Sequence, residues 1–380
     1  MFVPRRIRVV SIMEADFVTG PAKNLIQFAQ TARPAVDLSV VAYVRGEQAE
    51  TEFIRVARSA GIELDVVHET GRFDASVTHK LRAIAASRNP DVIQTHNTKS
   101  HFFLRFSGIW KQRIWLAFHH GHTAPDLKMR AYHQVDRWSL RAARHVVTVC
   151  GPFADQLVRF GVPRERISIL HNSVQEPAGI GGEEIARVRG ALNISAQTPV
   201  LVSIGRLSHE KGHVDLLSAL GKVRDAGADF HLVIVGEGIE RGRIEQQRKK
   251  LNLESRVTLA GLRHDVRPYY GMADVVVLPS HSEGSPNVLL EAMIHARAIV
   301  ATRVGGVPEI AQDGETALLV EARDPDGMAQ AISRMLGDPA LRTRLAGRAR
   351  QVAAERYSPQ AYTESLTRLY QRLTEAPVPA

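Results

Sequence analysis

The stretch ADVVVLPSHSEGSPNVLLEA, Ala273–Ala292, joins a strand pattern to a helix pattern through a short polar loop. The β-branched run ADVVVLPS predicts a buried strand, because such residues favour the pleated conformation. Ser285-Pro286 then predicts a helix start, with Ser285 as N-cap and Pro286 as the first helical residue. A buried strand followed directly by a helix is the repeating unit of a parallel α/β sheet.

The same alternation covers the rest of the chain. Strand patterns in the first half are RIRVVSI, DLSVVAYV, ELDVVH, DVIQTH, IWLAFHH, HVVTVC and ISILHN, with helix periods such as Ala22–Thr31 between them. The second half repeats the pattern in PVLVSIG, FHLVIVG, RVTLAG, RAIVATRV and TALLV. We therefore expect an α/β fold of doubly wound parallel sheets, in which ligands bind beyond the carboxyl ends of the strands.

A Gly- and Pro-rich segment, QEPAGIGG at Gln175–Gly182, predicts a linker between two domains. Two domains also fit the length of 380 residues, which exceeds what one core usually supports. We expect an N-terminal domain at 1–178 and a C-terminal domain at 179–357, with a cleft between them. A final helix at 358–376, started by Ser358-Pro359, is expected to pack back on the first domain.

The composition excludes several classes of protein. The chain is 44% hydrophobic and 23% charged, as in globular proteins. No stretch approaches the roughly eighteen apolar residues of a transmembrane helix. The start, MFVPRRIRVVSIM, fits a first strand better than a secretory signal. Cys150 is the single cysteine, so an intrachain disulfide is impossible and a reducing cytoplasm is expected.

Positive charge is concentrated in the first half. Residues 1–180 hold 24 Lys and Arg against 16 Asp and Glu, whereas residues 181–380 hold 25 against 24. Residues 101–150 alone hold 8 against 2, together with several Phe and Trp residues. The candidate partners of such a surface are an anionic membrane, a phosphorylated acceptor or nucleic acid. The alternative is an ordinary solvated basic surface with the aromatic residues in the core.

Charged side chains follow two strands of the second half. In SIGRLSHEKGH, Arg206 and Lys211 would suit a pyrophosphate, because a guanidinium bridges phosphate oxygens and an ammonium adds a point charge. Glu283 precedes the helix start and Glu291 lies inside the helix, where each could accept sugar or ribose hydroxyls. The amides of Gly284–Val288 would point out of the helix N-terminus, where anions bind. The alternatives are solvated cations and an ordinary capped helix.

Glycine loops and a histidine cluster are further candidates. VGEGIERG is a Gly-x-Gly turn after a strand but lacks the residues of a P-loop, and GGVPE combines a flexible backbone with a Pro-started helix. The glycine loop DFVTGPAKN, after the first strand, could bring backbone amides close to a phosphate. FHHGHT holds three histidines without Asp, Glu or Cys partners at metal-ligand spacing. It therefore favours an imidazole acting as a hydrogen-bonding group over a zinc site.

Taken together, these motifs resemble those of the retaining glycosyltransferases of family 4, which have the GT-B fold of two Rossmann-like domains facing a central cleft. The segments that carry the resemblance in the second half are GRLSHEKG, VGEG, SHSEGSPNVLLEA and ATRVGGVPEI…DGETALLV. The Glu-x7-Glu spacing of Glu283 and Glu291 matches the family signature. In the first half, FVTGPAKN, FHHG and ILHNSV are similar to its glycine loop, acceptor-side histidine and hinge. Pro21 and Ser173 stand where the family usually has glycine.

The resemblance implies a role for each matching residue. Arg206 and Lys211 would hold the donor pyrophosphate, Glu283 would bind hydroxyls of the transferred sugar, and Glu291 would bind the ribose. The residues implied in nucleotide-sugar binding are Gly20, Gly205, Gly236, Gly238, Leu262, Gly284, Ser285, Pro286, Asn287, Val288 and Glu291.

The implied reaction transfers a hexose-type sugar from a nucleoside-diphosphate sugar to a hydroxyl of a glycolipid or surface-polysaccharide acceptor. His120 would line the reaction centre, with His119 as the alternative. UDP is the expected nucleotide, and neither a metal nor another cofactor is expected. The protein would be cytoplasmic, with peripheral contact to an anionic inner membrane face through its basic first half.

Other interpretations stay open at this point. A nucleotide-sugar epimerase of the same fold would act on the donor alone, and a sugar phosphorylase would need a free-phosphate site that the sequence does not identify. A basic nucleic-acid-binding protein would show steep salt dependence of binding. Against it, the strongest motifs lie outside the basic half and no nucleic-acid motif is present, so we expect no nucleic-acid partner.

Overall fold

The computed structural model describes residues 5–14, 16–45, 50–71, 74–121 and 127–375. The chain forms two compact units, one of Met1–Ser173 with Pro359–Ala380 and one of Val174–Ser358. The passage from the first unit to the second thus falls at Ser173, a few residues before the predicted boundary at 178. The final helix is part of the first unit.

A seven-stranded, fully parallel sheet with the order β3-β2-β1-β4-β5-β6-β7 forms the first unit. Its strands are β1 Ile7–Met13, β2 Val36–Arg45, β3 Glu63–Glu69, β4 Val92–Thr95, β5 Ile114–His119, β6 His145–Thr148 and β7 Ile167–Ile169. The intervening helices are α1 Gly20–Thr31, α2 Glu52–Ser59, α3 Ser76–Arg88, α4 Thr98–Ser107, α5 Leu127–Leu140 and α6 Gly151–Arg159. The central strands are buried along nearly their whole length, as expected of a sheet covered on both faces.

The second unit holds a six-stranded parallel sheet with the order β10-β9-β8-β11-β12-β13. Its strands are β8 Val200–Ile204, β9 His231–Val235, β10 Val257–Gly261, β11 Val275–Leu278, β12 Ala298–Thr302 and β13 Leu318–Val320. Its helices are α7 Gly182–Ala191, α8 His213–Asp225, α9 Arg241–Lys250, α10 Arg267–Met272, α11 Asn287–Ile294, α12 Val307–Ile310, α13 Pro325–Gly337 and α14 Pro339–Arg356. The predicted α/β class with doubly wound parallel sheets is confirmed.

Helix α1 shows why some predicted boundaries are displaced. It begins at Gly20 instead of the predicted Ala22, because Pro21 fits the first turn, where the missing N–H costs nothing. Helix α4 was not among the predicted helices, although it carries a local signal. The Asn97 side chain accepts from the Ser100 amide at 3.0 Å, which caps the helix.

The final helix, α15 at Pro359–Glu375, completes the core of the first unit. Leu366, Leu369 and Tyr370 are buried in one apolar cluster with residues of β1, α1 and β5. The rings of Phe28 and Tyr370 meet edge to face at 5.9 Å between centroids. The cluster therefore joins the sheet to a segment that follows the whole second unit in sequence.

Among the described helices, none is long and apolar enough to cross a bilayer.

We predict that Leu366→Ala lowers the free energy of unfolding of the first unit by about 2–4 kcal/mol, since it removes a buried side chain and leaves a cavity. Urea unfolding followed by tryptophan fluorescence measures this, because Trp110, Trp115 and Trp138 all lie in that unit. Arg368→Ala on the exposed face of the same helix is the control, and its effect should stay within about 0.5 kcal/mol. Equal effects of the two substitutions would contradict the packing of α15.

Candidate active site

The second sheet has a switch point between β8 and β11, where the strand order reverses direction. Ligands of open α/β sheets bind beyond the carboxyl ends of the strands at such points. The loop after β8 carries Arg206 and Lys211, and the loop after β11 carries Glu283. Lys211 Nζ lies 2.7 Å from Glu283 Oε1, so the structure brings two of the predicted site residues into direct contact.

Glu283 is held by more than the lysine. The Ser280 hydroxyl donates to the same oxygen, Oε1, at 2.6 Å, and the Glu283 side chain is only 9% exposed. A carboxylate this poorly hydrated needs its positive partner. Lys211 supplies that partner, and neither residue was predicted to have the other as its partner.

Two glycines let the loops beyond the strands pack closely. Gly305, in the loop after β12, has φ +53°, and a Cβ there would lie 1.6 Å from the carbonyl oxygen of Glu283. Gly236, which follows β9, has φ +147°, and a Cβ there would lie 1.9 Å from the carbonyl oxygen of Gly205. Any side chain at either position would push the site loops apart.

Arg206 projects into solvent with its side chain 69% exposed, and its Nη2 lies 3.3 Å from Glu210 Oε1. An ion pair this exposed holds the guanidinium weakly. The same loop is tied to the loop after β11, because the amide of His281 donates to the carbonyl of Glu210 at 2.8 Å. Arg206 is thus available to an anion, whereas the backbone beneath it is fixed.

Helix α11 starts later than the sequence predicted. It begins at Asn287, and Pro286 occupies the N-cap with φ −70° and ψ 118°. The prediction of Ser285 as N-cap and Pro286 as first helical residue was therefore wrong. The difference lies in Pro286, whose ψ of 118° is extended, so that this residue precedes the first helical turn and Ser285 lies one residue further out. The amides of Asn287 and Val288 are now the first two of the helix, while Gly284 uses its carbonyl to accept from the Gly306 amide at 3.1 Å.

Glu291 lies one turn inside α11 and accepts a hydrogen bond from the Tyr270 hydroxyl at 2.9 Å. Burial and the nearby Glu291 carboxylate raise the pKa of Tyr270 well above its usual value, so the phenol remains a donor. Glu291 is therefore not an ordinary solvated glutamate, because the buried Tyr270 of α10 fixes one of its carboxylate oxygens. Sequence reasoning missed Tyr270, because 21 residues separate the pair.

The remaining predicted residues of the second unit lie at the same edge of the sheet. Gly205 follows β8 and its amide donates to Val235 at 2.9 Å. Gly238 lies against the backbone of Leu207, where a Cβ would be 2.3 Å from its carbonyl oxygen. Leu262 directly follows β10 and is 66% exposed. An exposed leucine beside a polar edge offers an apolar surface to a ligand.

A cavity of about 330 Å³ lies in the first unit at the carboxyl ends of β1, β4 and β5. Thr19 and Pro21, which flank Gly20, form part of its wall. Four histidines and two carboxylates also line it, namely His96, His101, His119, His120, Glu14 and Asp136, and the rest of the wall is Met13, Asn97, Thr98, Phe118 and Gly121. The sequence left open whether His119 or His120 lines the reaction centre, and both residues line this cavity.

Asp136 of α5 organises two of these histidines. Its Oδ1 lies 2.7 Å from His101 Nδ1, and its Oδ2 lies 3.7 Å from His119 Nδ1. His119 is thus turned toward a buried carboxylate. Neither His101 nor Asp136 was predicted as a site residue, because they are 35 residues apart in sequence and meet only in the fold. Among the residues that the structure describes, no group of three or more His, Cys, Asp or Glu is arranged to hold a metal ion.

His120 stacks on His96, with 5.8 Å between ring centroids and 10° between planes. Its Nε2 is buried and has no hydrogen-bond partner in the described part of the chain. Burial, together with the neighbouring His119 and His101, lowers the pKa of His120 to about 3. Burial likewise holds the pKa of His96 well below its usual value. Two of the imidazoles that line the cavity, those of His96 and His120, are therefore neutral at physiological pH.

The two parallel-sheet units, with their polar loops beyond the strands, have the GT-B fold, which solved structures share. The crystal structure of Anabaena Alr3699/HepE in complex with UDP has a TM-score of 0.84 and covers 96% of this chain and 100% of its own. At 19% identity this likeness concerns the fold alone.

Two family models identify the family to which the chain belongs. Residues 20–176 match the model described as Glycosyltransferase Family 4, and residues 198–338 match Glycosyl transferases group 1. Since the two matches together span most of the chain, it belongs to glycosyltransferase family 4, as the motifs predicted.

Among curated relatives, the lipopolysaccharide core biosynthesis glycosyltransferase LpsE of Rhizobium meliloti is 33% identical over 188 residues. The match covers 50% of this chain and 54% of LpsE, about half of each. N-acetyl-alpha-D-glucosaminyl L-malate synthase of Bacillus anthracis is 25% identical over 304 residues, which cover 78% of this chain and 79% of the relative.

The lowered pKa of His120 predicts a specific loss of stability in acid. Unfolding returns this imidazole to an ordinary pKa of about 6.5, so the unfolded chain binds more protons between about pH 6.5 and pH 3. The free energy of unfolding that depends on His120 is therefore at its maximum above about pH 6.5 and decreases as the pH falls toward 3. Urea unfolding at pH 7 and pH 5 should show a smaller acid-induced loss for His120→Asn than for the wild type. Equal losses in both proteins would show that His120 is solvated.

Proposed function

We propose that this protein is a retaining, metal-independent glycosyltransferase that moves a hexose-type sugar from a nucleoside-diphosphate sugar to a hydroxyl of a glycolipid or surface polysaccharide. The observation that carries the proposal is the contact of Lys211 with Glu283 at the switch point of the second sheet. This site offers a cation for a diphosphate and a carboxylate for sugar hydroxyls within one hydrogen-bond length. UDP is the proposed nucleotide and receives support from the UDP complex of the similar Anabaena fold.

The donor would bind along the polar edge of the second unit. Arg206, which is exposed, and Lys211 would hold the two phosphates, and the first amides of α11 would donate to the same oxygens. Glu291, already oriented by Tyr270, would accept from the ribose hydroxyls. Leu262 would cover a face of the base, which would bury part of its exposed apolar surface.

Transfer would break the bond between the anomeric carbon and the diphosphate oxygen, and form a bond from the same carbon to the acceptor oxygen. The acceptor proton would pass to the departing diphosphate, which balances the reaction and leaves the configuration unchanged when both events occur on one face. Lys211 and Arg206 would stabilise the charge that develops on the leaving oxygen. We propose that these cations supply the charge for which other enzymes use a metal ion.

The cavity of the first unit would receive the acceptor. The neutral imidazoles of His96 and His120 can exchange hydrogen bonds with hydroxyl groups without attracting a counter-ion. His120 is the residue proposed at the reaction centre, because its ring stacks on His96 beside the cavity whereas the ring of His119 is turned toward Asp136. The lipopolysaccharide relatives support a lipid-linked or polysaccharide acceptor. Such an acceptor would bring the enzyme to an anionic membrane surface at the cytoplasmic side.

We predict that Lys211→Gln lowers the turnover of donor sugar by about 10²–10³-fold, since it removes a group that stabilises the leaving diphosphate. The assay measures release of free nucleotide from UDP-, GDP- and ADP-sugars with a lipid-linked glycan acceptor. Lys249→Gln, an exposed lysine of α9 in the same unit, is the matched control and should retain full turnover. Wild-type turnover in a folded Lys211→Gln protein would contradict the proposed role.

We predict further that Glu291→Gln weakens nucleotide binding by about tenfold, because an amide accepts ribose hydroxyls less strongly than a carboxylate. Isothermal titration with UDP, GDP and ADP measures the affinity of each variant, and 2′,3′-dideoxy nucleotides test the ribose contact directly. The dideoxy nucleotide should bind wild type and Glu291→Gln equally. A tenfold loss that persists with the dideoxy nucleotide would place Glu291 elsewhere than at the ribose.

A further inference from the structure

Two large aromatic side chains of the first unit are exposed side by side. Phe106 of α4 is 56% exposed and Trp138 of α5 is 44% exposed, with 5.7 Å between their ring centroids. Phe102, one turn before Phe106, lies 4.4 Å from it, also measured between centroids. Phe103 and Trp115, from the same basic region of the sequence, are buried instead. The core of this region is therefore well packed, and the exposed rings form a separate apolar cluster on one surface.

Cations are interleaved with these rings. Arg105 Cζ lies 4.2 Å from the centroid of the Trp138 ring and 5.0 Å from that of Trp110. Lys111 Nζ lies 5.9 Å from the Trp110 ring. Within the part of the chain that the structure describes, neither Arg105 nor Lys111 forms an ion pair with a carboxylate. We call this surface the aromatic–basic patch, and its members are Phe102, Arg105, Phe106, Trp110, Lys111 and Trp138.

Acidic residues are nearly absent from the segments that carry the patch. The sequences of α3, α4, the turn Ile109–Lys111 and α5 contain one, Asp136. Asp136 is 2% exposed and bonded to His101, so it faces the interior cavity. Arg88 of α3 and Lys99 of α4 pair with carboxylates of the first unit. The cations that lie against the exposed rings, Arg105 and Lys111, form no such pair among the described residues and remain available to an external anion.

We propose that the aromatic–basic patch docks the first unit on an anionic membrane surface. Tryptophan and phenylalanine rings enter the boundary between headgroups and acyl chains, while arginine and lysine at the same depth pair with lipid phosphates. A membrane surface offers an apolar layer and a negative layer together, whereas a neutral glycan supplies no anion for Arg105 and Lys111. This docking rests on the proposed function in one respect: a lipid-linked acceptor would have to be reached at the membrane surface.

Flotation of the full chain with vesicles, in low salt and without nucleotide, tests the proposal. The vesicles contain equal parts of phosphatidylcholine and phosphatidylglycerol, and vesicles of phosphatidylcholine alone serve as the comparison. We expect binding to the anionic vesicles, a loss of about tenfold or more for Phe106→Ser/Trp138→Ser, and a loss of about fivefold for Lys111→Gln. Arg55→Gln, which removes an exposed charge from α2 of the same unit, should change binding little.

Several outcomes would overturn the docking surface. The wild type could fail to float with anionic vesicles, or Lys111→Gln could bind no differently from Arg55→Gln. If the patch variants floated like the wild type but lost binding to a polysaccharide, the patch would be assigned to a glycan instead. If they floated like the wild type but lost self-association in sedimentation velocity, it would be assigned to a second copy of the chain. Should Phe106→Ser/Trp138→Ser fail to melt cooperatively, the comparison of Lys111→Gln with Arg55→Gln decides alone.

Nucleotide binding measured on the same samples separates this proposal from the proposed function. Binding of UDP, GDP or ADP without flotation would refute the docking surface and leave glycosyl transfer standing. Flotation without binding of any of the three nucleotides would support the docking surface and contradict the proposed glycosyl transfer.

Discussion

The ion pair of Lys211 and Glu283 joins the two loops that flank the switch point of the second sheet, and the rest of the site is built around it. The pair is largely shielded from water, so each charge depends on the other for its stability. A diphosphate that takes Lys211 as its partner would release Glu283 to accept hydroxyls from the attached sugar. Under the proposed function, one contact therefore couples recognition of the phosphates to recognition of the sugar.

The strand-loop-helix units could be predicted from sequence because their signals are local. Buried strands such as VVVL at Val275–Leu278 consist of β-branched and leucine residues, and helices follow them within a few residues. Arg206, Lys211 and Glu283 were found because polar residues directly after such strands must lie at one edge of a parallel sheet. Their placement at that edge thus needed no knowledge of tertiary contacts. The switch point itself depends on strand order, which the sequence pattern does not encode.

Contacts between distant segments could not be predicted in the same way. Tyr270 orients Glu291 from another helix, and Asp136 holds His101 across the first unit, yet neither pair shares a motif. The start of α11 shows a different limit, because Ser285-Pro286 carries the pattern of an N-cap and a first helical residue, yet Pro286 is itself the extended N-cap. Local rules of this kind compete, and the packing of Gly305 against Glu283 adds a constraint that no local rule contains.

The return of the chain to the first unit through α15 has a consequence for synthesis on the ribosome. Leu366 and Tyr370 share an apolar cluster with Val9 and Phe28, which are made near the beginning of translation. Those early residues lack the part of their native packing that α15 provides until the entire second unit has been synthesised. The first unit therefore completes its core only after the second unit has been made, and until then the apolar surface that α15 covers stays exposed to solvent.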